Sequence, residues 1–167
     1  MGSGLIRGLT LHEPWAYAIA HLGKDVENRG VHALAWSFLE GNYLAIHSAV
    51  TIKVGDARDA IDFLRDEGYP IPGTFDPVTD EALKWKEAKK AFSFGCIVAV
   101  ARVEAVTGDD FRSSFWRGDD DVGIWLSDVV TIETLPCKGF QGTWVLPRDV
   151  GRELRVRYAD AVKKKEA

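Results

Sequence analysis

Residues 95–106, GCIVAVARVEAV, have the strongest β-strand pattern in the chain. The stretch begins as a continuous apolar run and then alternates, with Arg102 and Glu104 on the same face. A continuous apolar run bounded by turn signals is typical of a strand that is buried on both faces. We therefore expect residues 95–106 to form a central strand of a sheet.

Shorter strand patterns lie on both sides of this stretch. Branched and apolar residues bounded by Gly, Asn or Pro are typical of strands. Because these strands do not alternate regularly with helices, the pattern favours an α+β fold with about five or six strands in a mixed or antiparallel sheet. A small curved barrel would close such a sheet. The other predicted strands are residues 5–11, a strand starting at about Lys24, residues 42–48, 129–135 and 142–146.

Helical patterns occupy four other segments. The first covers residues 14–21, where Pro14 suits a first turn and Gly23 suits a left-handed stop. Apolar spacing predicts further helices over residues 55–67 and 80–92. The closing segment, from Arg148 through Lys165, has a helical composition and ends in three lysines.

Composition limits the class of protein. The 167 residues fit one domain, and 21 Lys plus Arg against 25 Asp plus Glu give a net charge of -4. No excess of basic residues indicates non-specific duplex binding. No run approaches a membrane span, the first residues lack a signal-peptide pattern, and Cys96 and Cys137 show no C-x-x-C spacing. We therefore expect a cytoplasmic protein with no membrane partner.

The segment GKDVENR carries the most reactive set of side chains. Strand alternation places Glu27 and Arg29 on one face, and Lys24 joins them if it projects from the turn after Gly23. A lysine in a partly desolvated pocket can lose its proton near neutral pH, as a general base requires. The alternative is a structural Glu–Arg pair with a solvated lysine, which spacing alone favours.

Histidines and tryptophans near these elements give further candidates. His12 lies at a strand-to-helix junction, and His47 and Ser48 end another strand. Each histidine alone is typical of a hydrogen-bonded structural residue, and a metal site would show more closely paired ligands, so we expect no metal or other cofactor. Trp15 and Trp125 suit stacking on a flat base, although indoles also fill small cores.

The stretch LTLHEPWAYAIAHLGKDVENR, residues 9–29, resembles the opening of ASCH-domain proteins, which are members of the PUA-like superfamily. These proteins show a Pro-Trp-Ala segment followed by a G-x-K-x-x-E-x-R motif. Lys24, Glu27 and Arg29 match three of its four fixed positions, and the glycine stands one position later, at Gly23.

The resemblance continues through YLAIHSA (residues 43–49), through residues 95–106 and through residues 124–147, which are similar to the family's Trp-containing strand and its final P-x-x-G-x-x-G-x-W element. It leaves out about residues 51–92, which have the pattern of a helical insertion. The resemblance implies a single domain over residues 1–167: a small PUA-like β-barrel flanked by helices, with a cleft at its mouth beside the lysine motif.

The resemblance also implies two kinds of function. Members of the superfamily bind RNA or modified bases, and small bacterial ASCH proteins include amidohydrolases that deacetylate N4-acetylcytidine; ribonuclease activity is also known in the family. The motif lysine of those amidohydrolases is catalytic, which carries over to Lys24. Their motif has threonine at the position of Glu27. The role of the threonine hydroxyl therefore has no counterpart in this sequence.

The leading hypothesis is a domain that binds RNA or a modified nucleoside, in which Lys24 and Arg29 meet phosphate or carbonyl oxygens and Glu27 accepts from an exocyclic amine. The alternative is a hydrolase of an acylated nucleoside or of RNA, with Lys24 as general base and Glu27 orienting it. A third reading is a protein-interaction module that uses residues 51–92. The candidate ligand-binding residues are His12, Trp15, Asn28, Arg29, His47, Ser48 and Trp125.

Overall fold

The computed structural model describes residues 5–72 and 90–167. Within these ranges, six strands form one mixed sheet in the order β2–β5–β4–β3–β1–β6. The sheet curls into a half-barrel, which confirms an α+β fold of small barrel-like form. The strands are β1 (Ile6–Leu11), β2 (Val26–Arg29), β3 (Tyr43–Ser48), β4 (Cys96–Thr107), β5 (Val122–Pro136) and β6 (Thr143–Val145).

The pairing of the strands accounts for the curvature. β1 and β3 are parallel, whereas β1–β6, β2–β5, β3–β4 and β4–β5 are antiparallel. The register shifts between Ile46 and His47 and at three places along the β4–β5 ladder. Such bulges bend a strand and increase its local twist, so the long central strands wrap around the core.

The predicted central strand is confirmed as β4, which lies between β3 and β5. Its first six residues are all buried, and the pattern then alternates, with Arg102 and Glu104 exposed. One core cluster lies on each face of the strand: Ala99, Ala101 and Val103 belong to one, and Ile97 and Val100 to the other. Burial of apolar area on both faces contributes about 25 cal/mol per Å² and holds β4 at the centre of the fold.

Three α-helices in the described ranges flank the sheet: α1 (Trp15–His21), α2 (Val54–Asp66) and α3 (Arg148–Glu166). All three were predicted within one or two residues at each end. The helix predicted over residues 80–92 lies largely outside the described residues. None of the described helices is long and apolar enough to cross a membrane.

Strand β5 corrects the sequence prediction. The pattern indicated a strand over residues 129–135, but β5 begins seven residues earlier, at Val122. The polar pair Ser127–Asp128 interrupts the apolar run, and Asp128 has a φ of 48°, an unusual left-handed conformation for a residue other than glycine. β5 continues through this irregularity because β4 pairs with the residues of β5 on both sides of Asp128.

A 3₁₀ helix over Val31–Leu39 was not predicted. It buries Ala33 and Leu39 but leaves the large apolar side chains of Val31 and Phe38 in solvent. A segment with apolar residues on all sides has no clear helical face in the sequence, so its periodicity gives no signal. The helix connects β2 to β3.

Candidate functional site

The end of α1 directs Lys24 towards the sheet. Gly23 has a φ of +75°, and the backbone N–H of Lys24 donates to the Ala18 carbonyl over 3.1 Å. A left-handed glycine just after the last turn is a common ending of a helix. The chain therefore reverses at Gly23, and Lys24 enters beneath the helix, just before β2.

Lys24 lies almost wholly inside the protein, with 3% of its surface exposed. Its Nζ lies 3.6 Å from Glu27 Oε2 and donates to the Val26 carbonyl. Nζ also lies 5.5 Å from the ring centre of Trp15 and 6.0 Å from that of Trp116. Burial lowers the pKa of Lys24, and the Glu27 carboxylate opposes part of that effect.

Glu27 contacts both cations of the motif. Strand alternation predicted its contact with Arg29, and the turn after Gly23 brings Lys24 to it. Glu27 is buried, and its Oε1 lies 3.2 Å from Arg29 Nε on the same face of β2. Arg29 Nη2 also donates to the Thr10 carbonyl over 3.4 Å, which ties β2 to β1. The three motif side chains are therefore one contiguous ion-pair cluster rather than a solvated strand edge.

The residues of this cluster line two neighbouring cavities. The larger has a volume of about 810 Å³ and is lined by Arg29, and the smaller has a volume of about 310 Å³ and is lined by Lys24. Trp15, Glu27 and Asn28 line both cavities. The motif thus forms the boundary between a broad cleft and a compact pocket.

Aromatic rings line the compact pocket around Lys24. Phe63 comes from α2, whereas Phe115 and Trp116 come from the β4–β5 loop, residues 108–121. Phe63 and Phe115 stack with their planes 2° apart, and Phe115 meets Trp116 edge to face. The pocket therefore combines flat apolar walls with two cations, Lys24 and Arg117, and two carboxylates, Glu27 and Asp120. Its sequence signal was Phe115-Trp116 in a polar loop, to which the sequence analysis assigned no role.

Side chains of the motif region hold the β4–β5 loop in place. Asn28 Nδ2 donates to the Trp116 carbonyl over 2.9 Å, and Asn28 Oδ1 accepts from the Gly118 N–H over 3.1 Å. Asp25 accepts from Arg112 Nε over 3.1 Å and from the Ser114 hydroxyl. The amide of Asn28, predicted to bind ligand, therefore positions the wall of the compact pocket.

The broad cleft is lined by a mixed set of charged and aromatic side chains. The cations Arg29, Lys53 and Lys138 line it together with the acidic Glu27 and Asp56. The 3₁₀ helix adds two residues that the sequence analysis missed because it predicted no helix there. These residues are His32 and Trp36, which meet edge to face with ring centres 5.5 Å apart.

The two predicted histidines have different surroundings. His12 is partly exposed in the broad cleft, and its Nδ1 lies 3.3 Å from the Thr51 carbonyl. His47 also contributes to the wall of the cleft, but 1% of its surface is exposed. Among the described residues, no group of His, Cys, Asp or Glu is arranged to hold a metal ion.

A chain of hydrogen bonds fixes His47. Trp144 Nε1 donates to Thr10 Oγ1 over 3.1 Å, and Thr10 Oγ1 lies 3.3 Å from His47 Nδ1. His47 Nε2 lies 3.0 Å from the Cys137 carbonyl, which can only accept, so Nε2 carries the proton. Burial lowers the pKa of His47, and the bond to Cys137 opposes that effect. His47 is therefore a neutral, structurally held residue in the cleft wall.

Glu13 is a buried carboxyl group that the sequence analysis did not select. It lines the broad cleft, and 3% of its surface is exposed. Burial raises its pKa to about 7, against the lowering effects of the Ser48 hydroxyl and the Tyr17 N–H, which donates to Glu13 Oε2 over 3.0 Å. Ser48, predicted to bind ligand, is fully buried and lines neither cavity.

Trp125 requires a correction. It was predicted to stack on a base, but it is completely buried beneath Val26 and Ala105 and lines neither cavity. Its register partner on β2 is Val26, which directs the indole into the core behind the motif. Trp116, nine residues earlier, lines the compact pocket in its place.

No family model matches the sequence, and no curated protein matches it either. The resemblance to ASCH domains therefore remains a hypothesis that depends on the motif residues and on the order of the segments around them.

Proposed function

We propose that this protein binds a nucleoside, either in RNA or as a free modified nucleoside, in the compact pocket around Lys24. The observation that carries the proposal is the position of the Lys24 ammonium between Trp15 and Trp116, with Glu27 beside it. We also propose that the domain is an ASCH domain of the PUA-like superfamily. The curled mixed sheet supports this assignment, and so does the contiguous Lys24–Glu27–Arg29 cluster.

The chemistry of the pocket suits a base. A flat heterocycle stacks on aromatic side chains, and its edge offers carbonyl oxygens to a lysine and exocyclic amines to a carboxylate. Lys24 supplies the donor, Glu27 the acceptor, and Trp116 the stacking surface. A volume of about 310 Å³ is at the lower end of the range for small-molecule sites, which suits a single base.

Calorimetric titration of the protein with cytidine, N4-acetylcytidine and the other common ribonucleosides tests this proposal. Removal of one stacking partner costs about 1–3 kcal/mol, so Trp116→Ala should weaken binding about 5- to 150-fold. Trp36→Ala, in the broad cleft, is the matched control and should leave nucleoside affinity unchanged. If neither these nucleosides nor short RNA strands that contain them bind the unmodified protein, the proposal is wrong.

A hydrolase acting on an acylated nucleoside is the second candidate, and the lowered pKa of Lys24 favours it. A neutral Lys24 amine would accept a proton from water as the water oxygen bonds to the acyl carbonyl carbon. The carbon–nitrogen bond to the base then breaks, and the departing nitrogen takes up a proton. The products are a free carboxylic acid and the unmodified nucleoside.

Release of acetate from N4-acetylcytidine separates this candidate from binding alone. We expect Lys24→Met, which keeps the length and apolar stem of the side chain, to bind the nucleoside and release no acetate. Lys53→Met in the broad cleft is the control and should turn over normally. Acetate release by Lys24→Met at the unmodified rate would exclude Lys24 as the base, and no release by the unmodified protein would exclude the candidate.

A further inference from the structure

We infer that two copies of this chain form a symmetric dimer through an exposed apolar face beside the 3₁₀ helix, with the 3₁₀ helices of the two copies antiparallel. We call this face the apolar patch. Its members are the large, exposed side chains of Leu5, Val31, Leu34, Phe38 and Val145. None of them lines the compact pocket or the broad cleft, so the inference does not depend on the proposed function.

The 3₁₀ helix contributes most of the patch because its repeat is three residues. Every third residue of the helix is buried or half-buried: Ala33, Trp36 and Leu39. The positions between them are exposed, and three of these carry a large apolar side chain: Val31, Leu34 and Phe38. The helix therefore packs one line of residues on the core and presents apolar groups to solvent.

The helix and the end of the sheet form one continuous face around Arg7. The Arg7 guanidinium lies 5.5 Å from the centre of the Phe38 ring, and Arg7 is the register partner of Val145. Asn42 links Leu5 to Phe38, since it accepts from the Leu5 N–H over 3.1 Å and donates to the Phe38 carbonyl over 3.0 Å. The patch thus extends from the 3₁₀ helix across β1 to β6, the last strand of the sheet.

The patch has the size of an interaction surface. Its members are between 46% and 68% exposed, so each copy presents several hundred Å² of contiguous apolar surface. Soluble proteins rarely leave a patch of that size in water unless it binds something. Two such faces, with the polar residues around them, are close to the low end of specific interfaces, about 1,200 Å² in total.

The charges at the ends of the patch favour a second copy as the occupant. Residues 31–39, VHALAWSFL, contain no Asp, Glu, Lys or Arg, although 28% of the chain is charged. A cation, Arg7, lies beside Phe38 at one end of the helix. A carboxylate lies at the other end, where Asp121 Oδ2 accepts from the Val31 N–H over 3.2 Å. A patch with opposite charges at its two ends is complementary to itself under a two-fold axis.

The spacing of these charges fits two antiparallel helices. Val31 and Phe38 are seven residues apart, which is about 14 Å at about 2.0 Å per residue. With the two-fold axis near Leu34, in the middle of the helix, the Val31 end of one copy lies beside the Phe38 end of the other. Arg7 then pairs with Asp121 of the partner subunit at both ends. The uncharged centre avoids repulsion between two molecules of net charge -4.

Sedimentation equilibrium of the full chain, from about 1 to about 500 µM, tests the inference. We expect the mass of the unmodified protein to rise from 18.5 kDa towards twice that value. Leu34→Asp places two carboxylates together at the axis and should weaken the dimer at least about 100-fold. Val156→Asp is the matched control, because Val156 is an exposed apolar residue of α3 outside the patch, and it should leave the dimer unchanged.

Exchange of the end charges tests the antiparallel arrangement. Arg7→Glu puts a carboxylate opposite Asp121 of the partner subunit, and Asp121→Arg puts a cation opposite Arg7 of the partner subunit. Each variant alone should therefore dimerise more weakly than the unmodified protein. An equimolar mixture of the two variants should recover the dimer, because opposite charges then meet at both ends of the patch. A variant that failed to fold would not recover on mixing.

Three results would overturn the inference. A mass of 18.5 kDa at every concentration would show that the patch does not bind a second copy, so that a different molecule covers it. A dimer that Leu34→Asp leaves intact would show that another surface holds the two copies together. A dimer that Leu34→Asp disrupts, but that the mixed charge variants do not recover, would show that the two helices are not antiparallel.

Discussion

Glu13 is a carboxyl group whose buried surroundings differ strongly from water. Its folded-state pKa of about 7 lies above the ordinary value of 4.5 because burial disfavours the ionised carboxylate. The folded protein therefore keeps this proton at pH values where the unfolded chain has lost it. Glu13 contributes stability that is fully present below pH 4.5 and is lost as the pH rises through about 7.

The variant Glu13→Gln removes this titration while keeping the size of the side chain. Between pH 4.5 and about 8, the free energy of unfolding of the unmodified protein should fall relative to that of the variant. The shift corresponds to about 3 kcal/mol at most, and urea unfolding at several pH values measures it. Parallel stability curves for the two proteins over this range would contradict the account of Glu13.

Gly139 closes the β5–β6 connection over His47, and its lack of a side chain is essential there. A Cβ at this position would lie 2.4 Å from His47 Nδ1 and 2.6 Å from Thr10 Oγ1. Because hydrogen bonds fix both partners, Gly139→Ala should destabilise the protein by about 1–3 kcal/mol. Gly151→Ala in α3 is the control. Nothing lies within 4 Å of a Cβ there, so thermal unfolding should show equal or greater stability.

At the residue scale, sequence reasoning found the cluster but not its surroundings. The motif spacing located Lys24, Glu27 and Arg29, and the structure brings all three together. The surroundings depend on distant parts of the chain: Trp116 reaches the pocket by a loop, and Trp125 is turned inwards by its register with β2. A linear pattern carries no information on which of two tryptophans in one segment faces a cavity.

At the scale of elements, the strands and α-helices with a clear hydrophobic period were predicted and the irregular ones were not. β4 and α2 show their periods plainly and were found nearly end to end. β5 is broken by a left-handed Asp128, and the 3₁₀ helix Val31–Leu39 has no buried stripe long enough to predict. Both missed features adjoin the site, because β5 pairs with the motif strand and the 3₁₀ helix lines the cleft.

The β4–β5 loop is the element that completes the compact pocket, and Asn28 is its main anchor on β2. Asn28→Ala removes the bonds to the Trp116 carbonyl and the Gly118 N–H. At about 1 kcal/mol for each bond, stability should fall by about 1–3 kcal/mol, and limited proteolysis should cut residues 108–121 faster.

Asn42→Ala is the matched control for this loop. Asn42 anchors a different turn, through bonds to the Leu5 N–H and the Phe38 carbonyl. It should lower stability by a similar amount without a selective increase in cleavage within residues 108–121. Equal cleavage of the loop in both variants would show that Asn28 does not hold it.

At the scale of the whole molecule, the curled sheet brings distant segments to one place. The motif follows α1, Phe63 comes from α2, and Trp116 lies in the β4–β5 loop, yet all three line one pocket. The sequence predicted the class of fold and the central strand, because hydrophobic period decides both. It did not predict two cavities, because their division depends on how the sheet curls.

Nuclear magnetic resonance of the indole N–H groups tests the central claim most directly. The six tryptophans give separate probes, and Trp15 and Trp116 flank Lys24, whereas Trp125 and Trp144 are buried away from the compact pocket. On addition of N4-acetylcytidine and the common ribonucleosides in turn, at about millimolar concentration, at least one nucleoside should shift the Trp15 and Trp116 signals and leave those of Trp125 and Trp144 in place. Unchanged Trp15 and Trp116 signals with every nucleoside would contradict the account.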